Sequence, residues 1–156
     1  MPSAGELIRA SDIGGDVGCR LRRAATQSFT SGADAAISWD TEDQDTDGFI
    51  AVTATTVTIP TGLGGLYAIV ARVLWASIAG NTRAYLDIVP VINSGLVGMP
   101  DIFRVGYPGV SETRHHNTVV VPLGATDTFT VHAFQTTGAP VTLTAWLACY
   151  RIASFA

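Results

Sequence analysis

Ile59-Pro-Thr-Gly-Leu-Gly-Gly-Leu-Tyr-Ala-Ile-Val-Ala-Arg-Val-Leu-Trp75 decides the fold of this chain. A turn rich in proline and glycine runs to Gly65, and an unbroken apolar run follows. An amphipathic helix would show polar residues at a 3.6-residue period, and the run offers only Arg72. β-Branched and aromatic residues after a glycine cluster favour a strand. On that strand Tyr67, Ile69, Ala71, Val73 and Trp75 share one face, while Leu66, Ala68, Val70, Arg72 and Leu74 share the other. A strand apolar on both faces needs cover on both. A second sheet supplies one cover, and a neighbouring subunit is expected to supply the other.

Composition supports that reading. The chain has 156 residues, 47% of them apolar and 14% charged, which suits one domain with a core of its own. Its mean hydropathy of +0.33 is high for a monomer. No run reaches the roughly 18 apolar residues of a membrane helix, and residues 1–15 lack the basic start and apolar middle of a secretory signal. The surplus apolar surface therefore points to subunit contacts, with no membrane partner expected. A net charge of −4 argues against a nucleic-acid surface. All nine basic residues are arginine, a compositional bias that carries no mechanism. Cys19 and Cys149 lie 130 positions apart and fit no metal spacing, so they read as two reduced thiols.

Residues 1–30 differ from the rest. They hold several glycines, no sustained period, and arginines at 9, 20, 22 and 23. Such a segment buries too little apolar area to offset its ordering entropy. It reads as an attachment arm preceding a head of residues 31–156. The arm's contacts would be Ile8, Arg9, Ile13, Arg20, Leu21, Arg22 and Arg23. From Phe29 onward turn signals and short strand patterns alternate. Ala35 to Trp39 reads as a strand, Asp40 to Gly48 as an acidic loop, and Val52 to Ile59 as a threonine-rich strand. Arg83 to Asn93 is a further strand in which Pro90 implies an edge or a bulge. Ser94 to Gly109 reads as irregular around a short Ile102–Val105 strand. Asn117 to Leu123, Thr128 to Gln135 and Val141 to Ile152 complete the set. The last places Leu143, Ala145, Leu147 and Cys149 on one face, with Trp146, Ala148, Tyr150 and Ile152 on the other. The inventory is an all-β jelly-roll sandwich of about eight to ten strands.

Several phrases resemble a known family. Trp39-Asp40-Thr41, Asp45-Thr46-Asp47-Gly48-Phe49, Ile59-Pro60 and Gly65-Leu66-Tyr67 are similar to the early strands of complement-type globular heads, within the tumour-necrosis-factor-like (TNF-like) jelly rolls. Asn93, Val119 to Asp127 and Thr142 to Tyr150 resemble later pieces in the same order, although Ser94 interrupts the expected Asn-Gly hairpin. The resemblance covers about residues 35–152. The phrase Ser3 to Asp12, joined to such a head, resembles small virion proteins of tailed bacteriophages infecting actinobacteria. These resemblances imply a compact homotrimer, with Tyr67, Ile69, Val73, Trp75, Trp146 and Tyr150 at the threefold contact.

Motifs for chemistry are sparse. Asp43-Gln44-Asp45-Thr46-Asp47-Gly48 matches the first half of an EF-hand loop, but the closing glutamate position is Ala54. An acidic turn in which Asp40, Asp45 and Thr46 bond backbone amides is the simpler reading, with a calcium site of irregular geometry left open. His115 and His116 are adjacent, so on an extended backbone they point opposite ways and cannot readily share a metal. There is no His-x-His pair, no Gly-x-Ser-x-Gly elbow and no lysine for a phosphate loop. Neither catalysis nor a cofactor is expected.

The expectation is thus a non-enzymatic virion protein, assembled in the bacterial host cytoplasm. Its partners would be itself and a major capsid or tail protein, most simply as capsid decoration. A minor tail or tail-tip protein is the alternative. Its head loops would bind host-surface glycan, with Phe103 and Tyr107 as the aromatic contacts.

Overall fold

The computed structural model describes residues 17–51, 54–78, 82–92, 103–110 and 114–154. They form ten strands: β1 (Gly18–Phe29), β2 (Ala35–Ala36), β3 (Thr41–Asp45), β4 (Thr56–Thr58), β5 (Gly65–Trp75), β6 (Thr82–Val91), β7 (Phe103–Val110), β8 (Arg114–Leu123), β9 (Thr128–Gln135) and β10 (Val141–Ser154). There is no helix among the described residues. One sheet runs β3-β1-β10-β5-β8 and the other β2-β9-β6-β7, with the short β4 pairing onto β9. Every pairing is antiparallel. This is the jelly-roll sandwich that the strand inventory implied.

β5 lies between β10 and β8, and its two faces have separate fates. Tyr67, Ile69, Ala71, Val73 and Trp75 are buried inside the sandwich. Leu143, Ala145, Leu147 and Cys149 of β10 join them from the next strand, on the face expected of them. From the second sheet come Leu86, Ile88, Phe129, Val131 and Ala133. Edge-to-face ring contacts brace the inner side of the first sheet, Phe29 of β1 to Trp75 of β5 at 5.7 Å and Phe49, in the loop after β3, to Tyr67 at 6.1 Å. A polar bond crosses between the sheets: Asn117 Nδ2 on β8 donates to the Leu86 carbonyl on β6 at 3.0 Å.

Three expectations about the chain's course need correction. The head does not begin near residue 31. β1 is an interior strand of its sheet, paired with β10 on one side and β3 on the other, and Cys19 and Leu21 are core residues. Its alternation of Cys19 and Leu21 with Arg20 and Arg22 is a half-buried strand written with arginine on the wet face. The acidic stretch 41–45 is the edge strand β3, where charged residues face water as edges require. The histidine segment is likewise the start of β8, with His115 buried and His116 exposed, the opposed orientation that adjacency implied. Trp75 Nε1 donates to His115 Nδ1 at 3.2 Å, which gives the inward histidine a structural partner. Pro90 pairs with Phe129 on β9.

β1 carries a wide irregularity. Between Arg23 and Gln27 three residues stand opposite Thr144 alone. The Asp40 carboxylate accepts the freed amides of Ala24 and Ala25, both at 2.8 Å, and the Thr41 hydroxyl at 2.9 Å. Desolvation pushes the Asp40 carboxyl upward, but those two amides, Thr41 and the charge of Arg23 outweigh it and hold the carboxyl below its ordinary value. A lowered folded value means stability that is present above the unfolded pKa of 3.8 and lost as pH falls through the folded one. Two glycines mark close strand approaches. A Cβ on Gly65 would lie 2.2 Å from the Ala153 carbonyl oxygen, and one on Gly18 2.0 Å from that of Cys149.

Gly65→Ala should therefore destabilise the fold by about 2–3 kcal/mol through forced strand separation, read as a lower denaturant midpoint. Asp40→Asn should cost about 1–2 kcal/mol at neutral pH. The gap between Asp40→Asn and wild type should narrow below about pH 4, where the wild-type carboxyl protonates. Urea titrations at pH 7 and pH 3 check both parts.

Candidate functional site

The outer face of the first sheet is the surface that composition left unexplained. Pairing register sets three transverse rows on it. Arg22, Trp146, Arg72 and His116 lie side by side across β1, β10, β5 and β8. The next row is Arg20, Ala148, Val70 and Thr118, and the third is Gly18, Tyr150, Ala68 and Val120. The small Ala148 leaves a hollow of about 310 Å³ in this face, bounded by Arg20, Asp43, Val70, Arg72 and Trp146. Val70 is 42% exposed, Val120 55% and Trp146 38%, so apolar area is left open to solvent.

Arginines frame this patch and are held in place. Arg72 stacks 5.5 Å over the Trp146 ring, and Arg20 lies 5.6 Å over Tyr150 while its Nε donates to the Tyr150 hydroxyl. Arg22 donates to both oxygens of Asp43 on β3, Nε at 2.7 Å and Nη2 at 2.6 Å. That hydrogen bond, then the carboxylate charge, raises Arg22 still further above its ordinary value. Anchored arginines and aromatics lose little rotamer freedom when a partner arrives, and both residue types are enriched at protein interfaces. The outer face of the second sheet is mixed. Thr58, Thr128, Thr130 and His132 share it with Val89, with Val91, which is 51% exposed, and with Tyr85 stacked on Phe134 at 5.1 Å. His132 Nδ1 lies 3.2 Å from Asp34 Oδ2.

The expected contact residues divide. Trp146 and Tyr150 lie on the outer face, as required of contact residues. Tyr67, Ile69, Val73 and Trp75 do not: all four point into the sandwich and are at most 1% exposed within the single chain. A strand apolar on both sides does not announce which side faces in. The bulkier aromatic face went to the core, and the face carrying Ala68, Val70 and Arg72 went outward. That arginine was the available signal, and it points to Ala68, Val70 and Arg72 as the surface residues of β5. Val120 was missed because its place beside Ala68 on the outer face is set by register.

The expected arm residues divide as well. Leu21 is in the core, Arg20 and Arg22 belong to the outer face, and Arg23 lies 3.5 Å from Asp40 beside the bulge. Ile8, Arg9 and Ile13 lie outside the described residues. Phe103 and Tyr107 fall on β7, opposite Ile88 and Ala84 of β6, so the segment is a strand where an irregular loop was expected.

The acidic turn has an internal purpose. Asp45 Oδ1 accepts the amides of Gly48 and Phe49, both at 2.9 Å, and its Oδ2 that of Ile50 at 3.1 Å. Thr46 Oγ1 accepts the Gly18 amide at 3.0 Å, and Asp47 Oδ2 accepts the Thr46 hydroxyl at 2.6 Å. With Asp43 committed to Arg22, the carboxylates do not converge. No cluster of three or more metal-ligating side chains occurs among the described residues. No helix of the described residues is long and apolar enough to cross a membrane.

Two antiparallel sheets in this order define a jelly roll of the TNF and complement-head type. Comparison with solved structures agrees. The globular domain of zebrafish complement 1qA protein superposes with a TM-score of 0.67 at 13% identity, over 89% of this chain and 99% of that one. PRD1 vertex protein P5 gives 0.59 at 14% identity, over 88% and 99%. Eiger TNF from S. frugiperda gives 0.59 at 9% identity, over 90% and 94%. No family model matches the sequence, and no curated protein matches it. The likeness is one of fold.

Asp45→Ala should lower stability by about 2 kcal/mol through the amides it leaves uncapped. Adding millimolar calcium should leave the melting midpoint of the wild type unchanged, because the carboxylates are already engaged. A calorimetric scan with calcium and with a chelator checks this.

Proposed function

We propose that this chain is a structural protein of a virus particle. It acts as a homotrimer whose subunits meet through the outer face of the first sheet. The observation that carries the reading is that face: it leaves Val70, Val120 and Trp146 open in the single chain, framed by anchored arginines. A second copy of the same chain would cover Val70, Val120, Trp146 and Tyr150 and explain the high mean hydropathy. The complement and TNF resemblance supports a trimer, and the fold shared with a vertex protein supports a place on a particle.

In this reading the protein is non-enzymatic and decorates or stabilises a capsid. Residues before Gly18 tie it to the major capsid protein. The arm is thus shorter than the first 30 residues, because β1 belongs to the head. Gly18 pairs with Tyr150 near the end of β10, so all three arms of a trimer leave from equivalent positions at one end. Three weak tethers then act together through effective concentration.

Two experiments test this. Light scattering on the purified protein should give three times the chain mass. Val70→Asp with Val120→Asp should bring it to a single chain with the far-ultraviolet strand signature kept. Thr58→Asp, on the opposite sheet, should leave the trimer intact. A wild-type protein that stays a single chain at micromolar concentration overturns the proposal. Deleting residues 1–16 should abolish co-sedimentation with particles while the head remains trimeric.

A further inference from the structure

Cys19 and Cys149 are the only cysteines of the chain, 130 positions apart in sequence, and they stand directly opposite each other on β1 and β10. Both are 0% exposed and both are free thiols. Opposed residues on antiparallel strands share a face, so the two thiols meet inside the sandwich.

The backbone fixes their geometry further. Gly18 turns its amide and its carbonyl towards Thr46, at 3.0 and 3.2 Å, on the β3 side. On the β10 side, the Arg151 amide donates to the Val17 carbonyl at 2.9 Å. Alternation then makes Cys19 and Cys149 a hydrogen-bonded pair, with Cα atoms about 5.5 Å apart in regular antiparallel sheet. That separation lies within the range of about 4.4–6.8 Å that disulfides span, so closing the bond asks only for a small approach of the two Cβ atoms. Burial pushes the Cys149 thiol well above its usual range, and a hydrogen bond with the Cys19 thiol adds to this. A high-pKa thiol is a slow nucleophile, so the folded pair is kinetically protected.

We propose that Cys19 and Cys149 are a covalent modification site: a latent cross-strand staple closed by a low-molecular-weight disulfide such as oxidised glutathione. Local opening of the first residues of β1 exposes Cys19, whose thiolate attacks one sulfur of the small disulfide and expels one small thiolate. Cys149 then attacks the Cys19 sulfur of the mixed disulfide and expels the second. Two protein thiols lose two electrons, one small disulfide gains them, and the two thiol protons end on the released small thiols. In a reducing compartment the pair stays a dithiol; in an oxidising one it locks the first strand of the head to the last. The proposal does not depend on the assembly reading above.

The full-length protein is equilibrated with oxidised glutathione, with and without sub-denaturing urea, then unfolded in excess alkylating agent. Intact mass should show a species about 2 Da lighter that takes up no alkyl group. A non-reducing peptide map should join the Cys19 peptide to the Cys149 peptide of the same chain. Closing a loop of about 130 residues should raise the melting midpoint by roughly 10 °C, reversed by reductant. Cys19→Ala and Cys149→Ala should each lose that reversible shift; if either fails to fold, the wild-type peptide map decides alone. Two alkylated thiols after equilibration in urea, a lasting glutathione adduct, or a bond between two chains would each overturn the proposal.

Discussion

The pairing of β1 with β10 is the constraint on which the rest of the molecule depends. It joins the first described strand to the last and makes β10 an interior strand, flanked by β1 and β5. With both sides paired, β10 fixes the register of β5, and β5 fixes that of β8. The rows of the outer face and the inward stack of Tyr67, Ile69, Val73 and Trp75 follow from that single alignment. Contacts so distant in sequence are entropically costly to form, which is why so many side chains converge to secure them. Asp40 caps the bulge of β1, Thr46 takes the amide of Gly18, and Asp43 grips Arg22.

Much of the architecture was legible because strand periodicity is a local property. β5, β9 and β10 were readable from alternation and bounding turns, and the faces of β10 came out correctly. β1 and β3 were not, for a shared physical reason. Their residues are poor strand formers by propensity, arginine and alanine in one, acidic residues in the other, and only tertiary pairing makes them extended. Within β1, Cys19 and Leu21 did alternate with Arg20 and Arg22, but four residues of alternation beside a glycine-rich segment are a weak signal. The meeting of Cys19 with Cys149 was beyond any local reading, since it is a property of register.

The surface was legible in kind and mistaken in detail. A strand apolar on both faces implied a need for cover on both, yet sidedness is a competition between faces that one sequence window does not contain. Four aromatic or branched residues won the interior because filling a sandwich about 10 Å thick rewards volume. Alanine, valine and arginine were left for the outer side. On the second sheet, threonine shares the outward side with Val91 and the Tyr85–Phe134 stack; its hydroxyl suits water and its branched carbon suits a strand.

Gly18 lies opposite Tyr150, and β10 runs on only to Ser154 beside Gly65. Among the described residues, the first strand therefore starts and the last strand ends at one pole. A short splice between them would convert the open chain into a ring without crossing either sheet. New ends could then be cut at the far pole, at the turn following Gln135, with every ladder preserved.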